Sequence, residues 1–245
     1  MVNRMRALLL LLAFLIAVPQ ARADGFTPEQ RQEVVNILRE ALRTDPSIIR
    51  DALTALQTAE EKRHDQVTRD VLAMLAPKLA DPADPVAGNP FGDVTVVEFY
   101  DTRCPYCRRM LPTMAELLRA DPKIKLVMKD MPILGNASQL ESRALLAAQK
   151  QGGYFKMQEP VMMATAPSSR DTLRAQADSL GLDGNRMLRD MDDPTIKARL
   201  QNNLDLAKQI GIDGTPAFVI GTHLVSGAAE LKELQQAVAA VRAGG

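Results

Sequence analysis

The chain holds only two cysteines in 245 residues, and they stand almost side by side, as Cys104-Pro105-Tyr106-Cys107. Before them runs Val94-Thr95-Val96-Val97-Glu98-Phe99-Tyr100, β-branched and aromatic, which reads as a buried strand. After them, residues 108–120 carry Met110, Leu111, Met114, Leu117 and Leu118 at helical spacing. The pair therefore falls where a strand hands over to a helix, with Cys104 near the helix N-terminus. Unpaired backbone N–H groups and the helix dipole favour negative charge there. That setting stabilises a thiolate, the reactive form of cysteine, and lowers such pKa values to ~3.5–7.5 from about 8.5. Arg103, Arg108 and Arg109 add positive charge around it.

Other chemistries compete for two thiols at this spacing. A tetrahedral zinc site needs four ligands, and beyond the cysteines only the isolated His64 and His223 are at hand. Inert buried thiols fit poorly with a proline and a tyrosine at a strand–helix junction. A purely structural disulfide would close so small a loop that it constrains the unfolded chain little. Redox chemistry fits best, because neighbouring thiols can be oxidised to a disulfide and pass it on. The twelve methionines, among them Met128, Met131, Met157, Met162 and Met163, leave an alternative open. This is a non-enzymatic copper-sequestering protein using the same cysteines with methionine sulfur. Core filling is a commoner use of methionine.

The stretch Glu98-Phe99-Tyr100-Asp101-Thr102-Arg103-Cys104-Pro105-Tyr106-Cys107 resembles the active site of thioredoxin-fold proteins, and of DsbA-like thiol–disulfide oxidoreductases in particular. Pro112 falls where thioredoxin-like proteins kink the same helix. Downstream, residues 214–221, Gly-Thr-Pro-Ala-Phe-Val-Ile-Gly, resemble the family's cis-proline loop entering a strand. The resemblance implies an α/β thioredoxin-like fold with a helical insertion at about residues 137–209. It implies an exposed attacking Cys104, a resolving Cys107, and Pro105 and Tyr106 tuning the pair. It also implies a proton-relaying Glu98, and a Thr215–Pro216 loop that pairs with an extended substrate backbone. Exchange between thiols calls for no cofactor and no metal.

Residues 1–23 read as a cleaved export signal. Arg4 and Arg6 precede an apolar run at 7–18, and Ala21-Arg22-Ala23 offers a small-residue cleavage site. Export would place the protein in an oxidising compartment, the periplasm, with exported proteins as clients and a membrane redox partner. Of 30 basic and 30 acidic residues, the segment takes three arginines and no acid, leaving 27 against 30, a net charge of −3. That balance makes no case for nucleic acid.

Residues 24–76 read as a helical arm. Thr27-Pro28-Glu29-Gln30 is a capping box with proline at the first helical position. An apolar stripe follows, interrupted at Thr44-Asp45-Pro46, with too few apolar residues to form a core of its own. Packing on the rest of the chain or self-association would bury it, and we favour a homo-oligomer. This arrangement resembles the suppressor-of-copper-sensitivity C branch of the DsbA-like family, which carries oligomerising N-terminal helices. Pro77, Pro82, Pro85 and Gly88-Asn89-Pro90 suggest a linker over 77–90, followed by the thioredoxin-like domain at 91–245. Within that domain, 124–128 reads as a second strand, 217–220 and 223–226 as a hairpin, and 229–242 as a closing helix.

Overall fold

A computed structural model describes residues 25–244. The export signal expected over 1–23 lies outside the described residues. The chain divides between Glu60 and Glu61 into two units.

The first unit holds α1, Pro28–Thr44, and the opening turns of α2, Ser47–Leu79. The capping box forms as expected, with the Thr27 side chain accepting from the Gln30 N–H and the Gln30 side chain accepting from the Thr27 N–H. Asp45-Pro46 ends α1 because a residue before proline is pushed out of the helical region. None of the residues of α1 is buried, and Ile37, Leu38, Leu53 and Leu56 are each more than half exposed.

The second unit is built on five strands in the order β1-β3-β2-β4-β5. They are β1 Val86–Gly88, β2 Val94–Tyr100, β3 Ile124–Asp130, β4 Ala217–Ile220 and β5 His223–Ser226. β2 and β3 run parallel, and the other three pairings are antiparallel. Helix α3, Pro105–Ala120, makes the crossover from β2 to β3. Helices α4 Asn136–Gln149, α5 Tyr154–Met163, α6 Arg170–Ser179, α7 Gly184–Asp190 and α8 Pro194–Ile210 fill the span read as the insertion. α9, Leu231–Arg242, closes the chain.

Alternation along β2 sorts two cores onto the two sheet faces. Val94, Val96 and Tyr100 face one way, toward Met110, Met114 and Leu117 of α3, the inner faces of α4–α7, and Leu234 and Val238 of α9. Val97 and Phe99 face the other way, with Val127, Val219 and Leu206, Ala207 and Ile210 of α8.

The second core also contains Leu72, Leu75 and Leu79, from the last turns of α2. These leucines are at most 6% exposed. Residues 61–76 therefore belong to the thioredoxin-like unit and not to a separate arm. The sequence boundary failed because an apolar stripe resumes after the charged run at 60–65, and spacing alone does not say what buries it. Nor are residues 77–90 a linker. Helix α2 continues through Pro77 to Leu79, and Val86–Gly88 pairs with Val127, Leu126 and Lys125 as an edge strand. Buried beside this strand, the Lys129 Nζ donates to the Asp84 carboxylate at 2.5 Å and to the Lys78 carbonyl at 2.8 Å.

Candidate active site

Cys104 is the N-cap of α3, with Pro105 as the first helical residue. Its N–H donates to the Asp101 carbonyl at 3.1 Å, and its own carbonyl accepts the Arg108 N–H at 3.1 Å. The sulfur thus sits where the free N–H groups of the first turn converge. Both cysteines are free thiols. The Cys104 Sγ donates to the Thr215 carbonyl at 3.2 Å across 111 residues of sequence. The Thr215–Pro216 bond is cis, and β4 begins at the next residue. The two separated sequence motifs therefore meet at one sulfur.

Cys104 is 4% exposed, against 1% for Cys107. The resemblance implied an exposed Cys104. It is the more accessible of the two, but the Thr215 carbonyl lies against its sulfur and the flanking Pro105 and Tyr106 take the solvent instead. Cys107 lies one turn into α3, and burial pushes its thiol pKa well up. Hydrogen bonds from the Asp101 backbone and the Thr215 side chain oppose this rise.

Glu98 shares its sheet face with Val96 and Tyr100, the face that packs on Cys104 and Cys107. Its strand neighbours are Met128 and Phe218. Burial without an offsetting partner raises the Glu98 pKa to about 8. A raised carboxyl pKa means that the unfolded chain releases this proton first. The group then costs stability as pH climbs from the ordinary glutamate range through about 8. Glu98→Gln is therefore expected to be the more stable protein at pH 8.5, by a few kcal/mol (order of magnitude), and to lose that advantage near pH 4. Urea unfolding of both proteins across this range measures the difference. A constant difference across pH would show that Glu98 is not held protonated.

Two of the three arginines around the motif have defined contacts. Arg103 turns its guanidinium to the insertion, donating to the Ala164 and Ala166 carbonyls at 3.1 and 3.3 Å and lying 3.7 Å from the buried Glu141. Arg109 stacks over the Tyr106 ring at 4.3 Å, on the outer side of the helix. Arg108 is half-buried.

Two buried acids near the site escaped the sequence reading. Asp101 is fully buried and accepts three backbone N–H groups, those of Arg103, Ile133 and Leu134. Asp130, at the end of β3, accepts the hydroxyls of Tyr100 at 3.1 Å and Tyr154 at 2.7 Å, and burial raises its pKa to about 7. The one available signal was position. Asp101 directly follows β2 and Asp130 ends β3, its mostly apolar parallel neighbour, so both acids lie at the same end of the sheet.

The model of the DSBA-like thioredoxin domain family matches residues 95–239. The chain belongs to that family. Among solved structures, the DsbA-like fold seen here is similar to a thioredoxin-like oxidoreductase from Silicibacter pomeroyi. Identity is 41%, coverage is 68% of this chain and 96% of that one, and the TM-score is 0.65. It is also similar to a linker-deletion mutant of Proteus mirabilis ScsC, at 25% identity, with 91% of this chain and 100% of that one covered and a TM-score of 0.68. That second likeness is consistent with the suppressor-of-copper-sensitivity C branch. Among curated relatives, the chain is 28% identical over 180 residues to the Na(+)/H(+) antiporter NhaA 1 of Salinispora arenicola. The match takes in 73% of this chain but only 28% of that relative's length. No helix among the described residues is long and apolar enough to cross a membrane.

Proposed function

We propose that the protein is a periplasmic thiol–disulfide exchange enzyme acting on exported proteins through Cys104 and Cys107. The observation that carries this reading is the placement of the Cys104 sulfur at the α3 N-terminus against the Thr215 carbonyl, with Cys107 buried one turn behind it. In the oxidising direction, a client thiolate attacks Sγ of Cys104 in the Cys104–Cys107 disulfide, and Cys107 leaves as a thiolate. A second client thiolate then attacks the client sulfur of the mixed disulfide and Cys104 leaves. The client gains a disulfide and the enzyme gains two electrons. In reverse, the Cys104 thiolate attacks a client disulfide, and Cys107 attacks Sγ of Cys104 to release the client as a dithiol. A membrane redox partner resets the enzyme.

Cys107 must lose or take a proton in a site that disfavours its thiolate. Glu98, on the same face and with a pKa of about 8, is suited to exchange that proton at neutral pH. Pro105 and Tyr106 set the stability of the dithiol relative to the disulfide. Thr215 and Pro216 offer main-chain groups to an extended client segment, a form of strand addition that tolerates many sequences. A small cavity of about 110 Å³ lies against this loop, lined in part by Thr215, Pro216 and Ala217.

The N-terminal helices are the proposed seat of a homo-oligomer. With residues 61–76 assigned to the second unit, this role narrows to residues 25–60, whose apolar stripe is exposed within its own unit. Several active sites held around one client favour isomerisation or reduction over simple oxidation, through their raised effective concentration.

Cys107→Ala tests the exchange reading. Without a resolving thiol, the mixed disulfide through Cys104 persists and clients appear as adducts on non-reducing gels. Cys104→Ser abolishes both adducts and turnover. If Cys107→Ala yields no adduct while Cys104 still alkylates, exchange is not the activity.

A further inference from the structure

Tyr100, Asp130 and Tyr154 come from β2, β3 and α5, and all three are buried. Tyr100 and Asp130 are register partners, so the Asp130 side chain lies on the sheet face of Tyr100 and Glu98. Tyr100 belongs to the core cluster that holds both cysteines. Lys129 points to the opposite face, where it pairs with Asp84. The remaining neighbours are neutral. Ser142 of α4 lies beside the Asp130 carboxyl, the Gln158 amide of α5 lies against the Tyr100 hydroxyl, and Asn203 of α8 donates to the Asp130 carbonyl at 3.0 Å.

The three side chains make three close contacts. The Tyr100 hydroxyl oxygen is 3.1 Å from one carboxyl oxygen of Asp130, and the Tyr154 hydroxyl oxygen is 2.7 Å from the other. The two hydroxyl oxygens are 2.6 Å apart. Each tyrosine has a single proton to donate. With Asp130 ionised, two protons serve three contacts, and one pair of oxygens meets without a proton between them. With Asp130 protonated, three protons serve three contacts, each group donating once and accepting once around a closed ring. The ring therefore has room for one proton more than the tyrosines bring. Burial and the Asp84 carboxyl across the sheet also favour the neutral acid, the hydroxyls oppose them, and the Asp130 pKa stands at about 7.

Reduction of the enzyme changes the charge on this side of the sheet. A client dithiol gives up two electrons and sheds two protons as its disulfide forms. Buried Cys107 keeps one proton as a thiol, and Cys104 remains the thiolate. One proton is left over, and one negative charge has joined the core that Tyr100 shares. An acid near a new negative charge binds its proton more tightly.

We propose that Asp130, Tyr100 and Tyr154 form a proton-holding centre that loads one proton when the cysteine pair is reduced and releases it when the pair is oxidised. Asp130 acts through its charge and is a positioning residue for that proton, distinct from Glu98. This rests on the exchange reading above.

Redox-difference infrared spectroscopy tests the proposal on the full chain, cycled with dithiothreitol and its cyclic disulfide at pH 7. Reduction is expected to add the C=O band of a protonated carboxyl. The band vanishes in Asp130→Asn, whose amide can donate and accept in the ring as the neutral acid does, and persists in Glu98→Gln. A companion measurement is the equilibrium with glutathione from about pH 5.5 to about 8.5. Raising the pH through this range is expected to favour the oxidised wild type about ten-fold more than oxidised Asp130→Asn, equivalent to a loading pH about one unit higher in the reduced protein. A band that survives in Asp130→Asn, a band lost in Glu98→Gln, or identical pH profiles would each overturn the proposal. Tyr154→Phe decides if Asp130→Asn does not fold. Removing one donor shifts both the band and the loading pH, and a protein indifferent to that change also overturns it. Cysteines that do not interconvert with glutathione at any pH refute the exchange reading instead.

Discussion

Removing residues 24–60 leaves a folded unit that still exchanges disulfides with small thiols, whereas removing residues 24–85 destroys the fold. The longer cut strips Leu72, Leu75 and Leu79 from the core behind β2. Three buried leucines are worth ~5–9 kcal/mol in transfer alone. The cut also takes away Asp84 and the Pro85 carbonyl that receives the Met128 N–H at 3.0 Å. These losses together rival the ~5–15 kcal/mol that holds a typical domain folded. The shorter cut touches none of these contacts. Circular dichroism and urea unfolding separate the two deletions. Light scattering adds the oligomer test. The intact mature protein is expected to sediment and scatter as several copies, and the 24–60 deletion as one, with rescue of scrambled ribonuclease lost in the deletion. An intact protein that scatters as a monomer removes the oligomer reading and leaves a plain DsbA-like oxidase as the better account.

Lys129→Met destabilises the protein by about 3–5 kcal/mol at neutral pH, and adding Asp84→Leu returns most of it. Lys129 and Asp84 are each 3% exposed at the side chain and pair at 2.5 Å. Burial already raises the Asp84 pKa against the pull of Lys129. Without the ammonium, a carboxylate stranded in the protein must either stay charged at high cost or take up a proton. The single variant therefore suffers most at high pH and recovers toward the carboxylate range, because protonated Asp84 no longer carries the stranded charge. Replacing both partners with apolar groups removes the desolvation problem altogether. Urea unfolding of the single and double variants at pH 5 and pH 8 reads both effects. A double variant no more stable than Lys129→Met would mean that the pair is needed for packing rather than for charge balance.

What the sequence disclosed depended on the range of the signal. Strand β2, helix α3 and the β4–β5 hairpin lie as expected because their apolar spacing is local, and Gly221 marks the turn. The strand expected over 124–128 extends to Asp130, since its last residues are buried although polar. Cys104 and Thr215 were joined only through the family resemblance, as no local rule links residues 111 apart. Strand β1 was missed because Val86-Ala87-Gly88 is too short to alternate and is framed by prolines, which read as a linker. Periodicity put Val67, Val71, Met74 and Leu75 on the stripe, but Val67 and Met74 are exposed, and the buried contacts are made by Leu75 together with Leu72 and Leu79, which it did not pick out. Asp101, Asp130 and the Lys129–Asp84 pair were invisible for a related reason. A polar residue in sequence carries no mark of whether the fold will enclose it.

The sheet's outermost members have a consequence for life among unfolded chains. β1 offers three residues and β5 four, so each open rim carries only a few unpaired main-chain groups. Long, flat rims template foreign strands and seed aggregates. Under the proposed function, which brings the protein against extended polypeptides, that hazard would arise at every encounter. Clipping both rims makes the flanks poor nuclei for aggregation and, under the proposed function, would leave the loop beside Cys104 as the place for backbone pairing with a client.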